Sequence, residues 1–259
     1  MDARDEFDPR MSYQMNRLPT DRPLSVYVLI AVIVVIWLAT ELTGGTNDME
    51  NMVRWGANFS PFVTSGEFWR LLSANWLHFG VQHLALNAYS LYALGSQVES
   101  LFGRRRFLAI YLLSGVSGAV MSYWLTAGLS AGASTSIFGM FGAMLVYYYR
   151  QREVIGSESQ AQLRRMLVLL AINVVFGLLP GTRIDNWGHA GGLLGGVALA
   201  WFLCPRYVRT DGLMRRDVEL TTPYIADENT LGRNWAVLAL FVVVLAAFTV
   251  ALAAARSGG

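Results

Sequence analysis

Three polar sites in this sequence carry the residue types that acyl-transfer chemistry needs. Ser134 stands in Gly132-Ala133-Ser134-Thr135-Ser136-Ile137-Phe138-Gly139. A serine hydroxyl is a weak nucleophile and needs a base within hydrogen-bond reach. His189, in Asn186-Trp187-Gly188-His189-Ala190-Gly191-Gly192, has the chemistry of such a base. His83 and Asn87 are four residues apart, so on a helix they share one face. Together with the N–H of a serine at a helix mouth, they are the kind of donors that hold a developing oxyanion. Each site also has a plainer reading. Ser134 suits a helix N-cap, and His83 with Asn87 suits an interhelical hydrogen-bond pair that stabilises a bundle.

The elements that must position these residues are membrane helices. The chain has 259 residues, of which 54% are hydrophobic and only 15% charged, with a mean hydropathy of +0.40. A soluble domain of this length carries about a quarter charged residues. A net charge of +2 is too small to suggest a nucleic-acid partner, and the single cysteine, Cys204, excludes an internal disulfide and a cysteine-based metal site. Long apolar runs predict seven spans at 24–43, 81–101, 106–127, 134–150, 164–181, 187–205 and 234–255. The first is read as a retained helix rather than a signal peptide, because no small-residue cleavage site follows it. The second and fourth are the weakest by hydropathy, and polar residues inside a membrane mark function.

The arginines orient the spans. All 20 basic residues are arginine, and 16 of them fall in the head, the 102–106 turn, the 150–165 loop and the 206–233 loop. That asymmetry predicts a cytoplasmic N-terminus and an external C-terminus. Spans two, four and six then all begin on the external side. His83, Asn87, Ser134 and His189 all lie within about two turns of that side, roughly 10 Å at 1.5 Å per residue. The division expected is a cytoplasmic tail at 1–23, a six-helix core at 24–205, a cytoplasmic linker at 206–233 and a last helix with its tail at 234–259. Residues 44–80 form a long external segment rich in aromatic residues, suited to the membrane interface.

Packing must bring the serine and histidine together. Gly188, Gly192 and Gly196 recur every four residues, and Gly139 and Gly142 thin span four. Small faces let membrane helices approach closely. Asp185, four residues before His189, is expected on the loop side and solvated, so the arrangement reads as a dyad. Some other contact must then hold the imidazole, and Phe138, one turn after Ser134, is placed to lie beneath it. His78, at the outer boundary, is expected to support or cap the second span.

These residues together resemble the rhomboid intramembrane serine proteases. Gly132-x-Ser134 with Gly139 is close to that family's serine motif, and His83-x-x-x-Asn87 resembles its oxyanion pair. His189 with Gly192 and Gly196 matches its histidine helix, and Trp69-Arg70 resembles the motif of its first external loop. Glu99, Gly103, Arg106-Phe107 and the run Tyr111 to Gly115 fit its second and third helices. The resemblance covers about residues 24–205. It implies an all-α fold, a six-helix rhomboid core with a seventh, C-terminal helix. It also implies hydrolysis of peptide bonds in or near transmembrane segments of protein substrates, through an acyl-enzyme and without a metal or cofactor. Ser134 is then nucleophile, His189 base, and His83 and Asn87 oxyanion donors, with span five around Phe176 and the 181–186 loop flanking substrate access. Two positions depart from the pattern: Thr135 stands where many members have glycine, which narrows the cleft, and Phe138 replaces a tyrosine found in some. The other functions weighed are a non-catalytic binder of transmembrane clients and a transporter, the latter resting on Asn173 as its polar group at depth. The short tails favour a prokaryotic plasma membrane, with the site opening outward.

Overall fold

A computed structural model of the chain describes residues 22–152, 156–179, 184–210, 214–215, 218–219 and 224–258. Within them the long helices are α1 (Leu24–Leu42), α2 (Gly80–Ser90, continued through a π-helical turn Leu91–Gly95 and the helix Ser96–Phe102), α3 (Arg104–Leu125), α4 (Ser134–Arg150), α5 (Ser157–Leu178), α6 (Asn186–Leu203) and α7 (Trp235–Ser257). Among the described residues four of these, α1, α3, α5 and α7, are long and apolar enough to cross a membrane by length and composition. The three that fall short, α2, α4 and α6, are the helices bearing His83, Asn87, Ser134 and His189.

Local sequence explains the boundaries. Between α2 and α3 the chain reverses at Gly103, whose φ of +79° is open to glycine. The Gly103 N–H donates to the Glu99 carbonyl, and the Gly103 carbonyl accepts from Phe107 N–H. Glu99 is itself fully buried and accepts the Ser25 and Val26 N–H groups at 3.0 and 2.9 Å, satisfying two first-turn donors of α1. Helix α5 begins earlier than the 164–181 span expected from hydropathy. Ser157 through Gln162 are mostly polar but helix-compatible, so Arg164 and Arg165 belong to the helix and not to a loop.

The core is the packing of α3, α4 and α6 on one another, and α6 is thin on two faces. On one face, a Cβ added at Gly192 would fall 2.1 Å from the Thr135 carbonyl oxygen, and one at Gly196 2.0 Å from that of Gly139. On the other, Gly191 and Gly195 meet Ser117 and Gly118 of α3, and Ser117 Oγ donates to the Gly191 carbonyl at 3.0 Å. The periodic glycines of the sequence identify the first face. The second, offset by one residue, follows only from the position of α3. Helices α5 and α7 are mostly exposed. The Asn186 amide donates to the Gly177 carbonyl at 2.8 Å, tying the end of α5 to the start of α6.

Residues 44–79 are folded, with short helices Met49–Arg54, Ser60–Thr64 and Arg70–Ser73 and a 3-10 turn Ala74–Trp76. Arg70 anchors them. It is buried, pairs with Glu67, donates to the Val53 and Ala57 carbonyls, and lies over the rings of Phe62 and Trp69. The 206–233 segment carries small antiparallel ladders, β1 (Tyr207–Thr210) with β4 (Tyr224–Asp227) and β2 (Met214–Arg215) with β3 (Val218–Glu219), so the all-α expectation holds for the described residues only apart from these and an isolated Asn58–Ser130 bridge. The segment is docked on the helices: Tyr207 donates to the Leu101 carbonyl, Asn229 to those of Phe202 and Cys204, and Asp227 pairs with Arg106.

Candidate functional site

Ser134 is the first residue of α4, and His189 sits in the first turn of α6. The close glycine contacts draw these two helix mouths together. Ser134 Oγ and His189 Nε2 are 2.9 Å apart, a normal hydrogen-bond separation. The plainer alternative for Ser134, a helix N-cap, does not hold. The N-cap is Ala133, no side chain caps that end, and the serine hydroxyl is engaged with the imidazole instead. The N–H groups of Ser134, Thr135 and Ser136 precede the first i→i−4 bond of the helix, from Ile137 to Ala133, so they belong to the outward-facing set at a helix start.

Phe138 lies flat against the His189 ring, with centroids 4.1 Å apart and planes 13° from parallel. This contact holds the plane of the imidazole. On the other side of Ser134 stands His83. A Cβ built on Gly132 would lie 2.9 Å from His83 Nε2 and 3.6 Å from Ser134 Oγ. The imidazole and the hydroxyl therefore both border the space beside Gly132. Only glycine leaves that space open, and its φ of +141° also suits glycine alone. Asn87 is buried one turn further along α2, and one of its amide hydrogens returns to the His83 carbonyl at 2.9 Å.

The segment that delivers Ser134 is pinned from the 74–78 side. Gly132 N–H donates to the Ala74 carbonyl at 2.9 Å, and Ala133 N–H donates to His78 Nε2 at 3.3 Å. His78 is buried, and its ring meets that of His83 edge-on at 5.3 Å. Burial, with His83 alongside, pushes the His78 imidazole down to about 3, against an opposing contribution from the Trp76 backbone. A neutral ring is what accepting the Ala133 N–H requires.

Thr135 does not occupy the cleft, as its place after the serine suggests. Its hydroxyl donates to Asn75 Oδ1 at 2.5 Å, and its methyl fills the space beside Gly118 and Gly188. Asp185 is the second correction. It is half-buried, and its carboxylate is not left to solvent alone but accepts from Thr126, Ser130 and the Gly188 N–H. Sequence reasoning missed the links from Asn75 to Thr135 and from Asp185 to Thr126 and Ser130, because each joins residues more than 50 positions apart; only the Asp185 bond to the Gly188 N–H is local, as a helix N-cap. Of the segments expected to flank access, Phe176 is exposed on α5, while 180–183 lie outside the described residues. Asn173 turns its amide back to the Leu169 carbonyl of its own helix at 2.8 Å.

Apolar helices around a serine–histidine pair at two helix mouths define an integral, multi-pass membrane protein with a hydroxyl and an imidazole at one end of its bundle. Residues 65–206 match the Rhomboid domain. Over 183 residues the chain is 37% identical to Rhomboid protease GluP of Bacillus subtilis (strain 168), covering 69% of this chain and 34% of that protein. It is 41% identical over 139 residues to RHOMBOID-like protein 2 of Arabidopsis thaliana, covering 53% of this chain and 43% of that one. To RHOMBOID-like protein 6, mitochondrial, of the same plant it is 39% identical over 147 residues, 56% and 47% of the two chains. The chain thus spans between about a third and a half of the length of these relatives. The matched region covers more than half of the chain and includes every residue of the site described above. The chain belongs to the rhomboid family.

Proposed function

We propose that this protein is an intramembrane serine endopeptidase that hydrolyses peptide bonds in or near the transmembrane segments of membrane proteins. The observation that carries the reading is the 2.9 Å contact between Ser134 Oγ and His189 Nε2. A relative named as a rhomboid protease supports it. Ser134 Oγ attacks the scissile carbonyl carbon while its proton passes to His189 Nε2. The tetrahedral intermediate collapses, His189 returns the proton to the leaving amine, and an acyl-enzyme remains on Ser134. Water, deprotonated by the same imidazole, then releases the acyl product.

The oxyanion is assigned to the Ser134 N–H, assisted by His83, which borders with the hydroxyl the space beside Gly132, and by the second amide hydrogen of Asn87. Phe138 keeps the His189 ring in plane and His78 holds the loop that delivers the serine. Substrate approaches between α5 and the start of α6. The arginine distribution favours a cytoplasmic N-terminus, with the site opening to the opposite side. A transporter would need polar groups reaching through the bundle, and Asn173 is spent on its own helix.

The test is covalent labelling of the purified protein in detergent with a fluorophosphonate. Wild type should be labelled on Ser134, Ser134→Ala should not, and His189→Ala should react far more slowly. Equal labelling of wild type and Ser134→Ala, or none of either, rejects the reading and favours a binder of transmembrane clients.

A further inference from the structure

The Asp185 carboxylate has no part in the chemistry above, yet it is the most heavily engaged acceptor near the site. Its Oδ1 accepts from Thr126 Oγ1 at 2.8 Å and from the Gly188 N–H at 2.9 Å, and its Oδ2 accepts from Ser130 Oγ at 2.6 Å. Its backbone carbonyl accepts the His189 N–H at 2.9 Å. We propose that Asp185 is a positioning residue that sets the Ser134–His189 separation by locking the 126–133 loop to the first turn of α6. The proposal rests on the reading of Ser134 and His189 as nucleophile and base.

The connectivity is what gives the carboxylate this role. Thr126 closes the end of α3. Ser130 lies four residues before Ser134, and it is fixed from its other side by reciprocal backbone bonds with Asn58, both 2.9 Å. Asp185 lies one turn before His189 and caps the helix that carries it. A single anionic group therefore joins the strand-like approach to the serine with the helical approach to the histidine. Hydrogen bonds to an ionised acceptor are stronger than neutral ones, and the two hydroxyl partners have free rotors that turn to meet it.

The glycine contacts cannot do this alone. Gly192 against Thr135 and Gly196 against Gly139 fix how close α4 and α6 approach. They set the spacing of the helices, Gly192 at the first turn of α4 and Gly196 more than a turn below, and hold nothing of the 126–133 loop. Catalysis depends on sub-ångström placement of the reacting groups, and a misplacement of about 1 Å can cost roughly a hundredfold. The carboxylate ties down the loop that the glycine contacts do not reach.

The experiment uses the full chain in detergent with a single-pass model substrate. It compares Asp185→Ala, Asp185→Asn, Ser130→Ala and the double variant Asp185→Ala with Ser130→Ala. The readouts are kcat, KM and the rate of fluorophosphonate labelling at Ser134. Asp185→Ala should lower kcat and the labelling rate by about 10- to 100-fold, with KM within about twofold of wild type. Asp185→Asn keeps an acceptor for the Gly188 N–H and for one hydroxyl, so it should recover most of that loss. Ser130→Ala should cost several-fold, and the double variant should be no worse than Asp185→Ala alone, because both remove the same link. Wild-type rates in Asp185→Ala, a loss confined to KM, or full multiplication of the two single effects would overturn the proposal. If Asp185→Ala does not fold, Ser130→Ala and Thr126→Val decide, since each removes one partner from outside α6, and wild-type rates in both overturn it. An unlabelled wild type removes the underlying reading and this proposal with it. A labelled wild type with an unaffected Asp185→Ala removes only the proposal.

Discussion

Ser134 Oγ and His189 Nε2 meet at 2.9 Å although 55 residues separate them in the chain. Neither residue is brought there by its own helix. The approach is made by carbonyls and glycines from the first turn of α4 downward, and the orientation by aromatic and polar neighbours at the mouths.

The glycine seam should be the most sensitive part of the scaffold. A Cβ at position 196 would sit 2.0 Å from the Gly139 carbonyl oxygen, so Gly196→Ala must push α6 away from α4. Overpacking of this kind costs about 1–3 kcal/mol. A lower melting temperature in detergent and slower Ser134 labelling are expected together. Gly232→Ala, with nothing within 4 Å of the added carbon, is the matched control and should change neither. An unchanged melting temperature for Gly196→Ala contradicts the packing described.

The stacked ring under His189 should matter for rate more than for folding. Phe138 lies 4.1 Å from the imidazole, centroid to centroid, and aromatic pairs contribute about 0.5–1.5 kcal/mol beyond burial. Phe138→Tyr should keep near-normal turnover. Phe138→Leu should lose roughly two- to tenfold in kcat through the same energy range. Equal kcat values for the two variants, measured on one substrate, would show that the stacking does not hold the ring.

How much of this was legible before the structure depends on the kind of signal. The Gly188, Gly192 and Gly196 stripe and the common depth of His83, Ser134 and His189 follow from helical periodicity and span order, both local properties of the sequence. The side-chain destinations of Thr135 and Asp185 do not. Thr135 turns to Asn75, 60 residues away, and Asp185 to Thr126 and Ser130, 59 and 55 residues away. Reading by position alone put the first in the cleft and the second in solvent. Gly191 and Gly195 were hidden for a related reason: a second small face means packing only when a third helix is known to lie against it. The β1–β4 ladder in the 206–233 segment has only weak alternation of apolar and polar residues to announce it.

Glu99 should matter for stability and not for chemistry. Its carboxylate caps the start of α1 by accepting the Ser25 and Val26 N–H groups, at the opposite end of α2 from His83. Glu99→Ala leaves two buried donors unpaired, at about 1–3 kcal/mol for such a loss. The melting temperature should fall, while the labelling rate of Ser134 in the folded fraction stays at the wild-type value. A selective fall in labelling without destabilisation runs against this assignment.

His78 should give the fold an acid sensitivity. Burial holds its folded imidazole at about 3, below the ordinary 6.5. The unfolded chain therefore binds a proton that the folded chain refuses. Stability from this group is complete above about pH 6.5 and declines as pH falls toward about 3, by at most about 1.4 kcal/mol per pH unit. His78→Gln removes the titration, so its melting temperature should fall less than that of wild type between pH 7 and pH 5. Parallel pH profiles for the two proteins would contradict the sign worked out here.

The central claim is that Ser134 and His189 together cut a peptide bond in a membrane-spanning substrate. The most direct measurement is cleavage of a single-pass substrate by purified wild type, Ser134→Ala and His189→Ala in proteoliposomes, with the products identified by mass. The account predicts cleavage by wild type within or next to the substrate's transmembrane segment, and loss of cleavage to background in both variants. Undiminished cleavage by Ser134→Ala, or intact substrate with folded wild type, would contradict it.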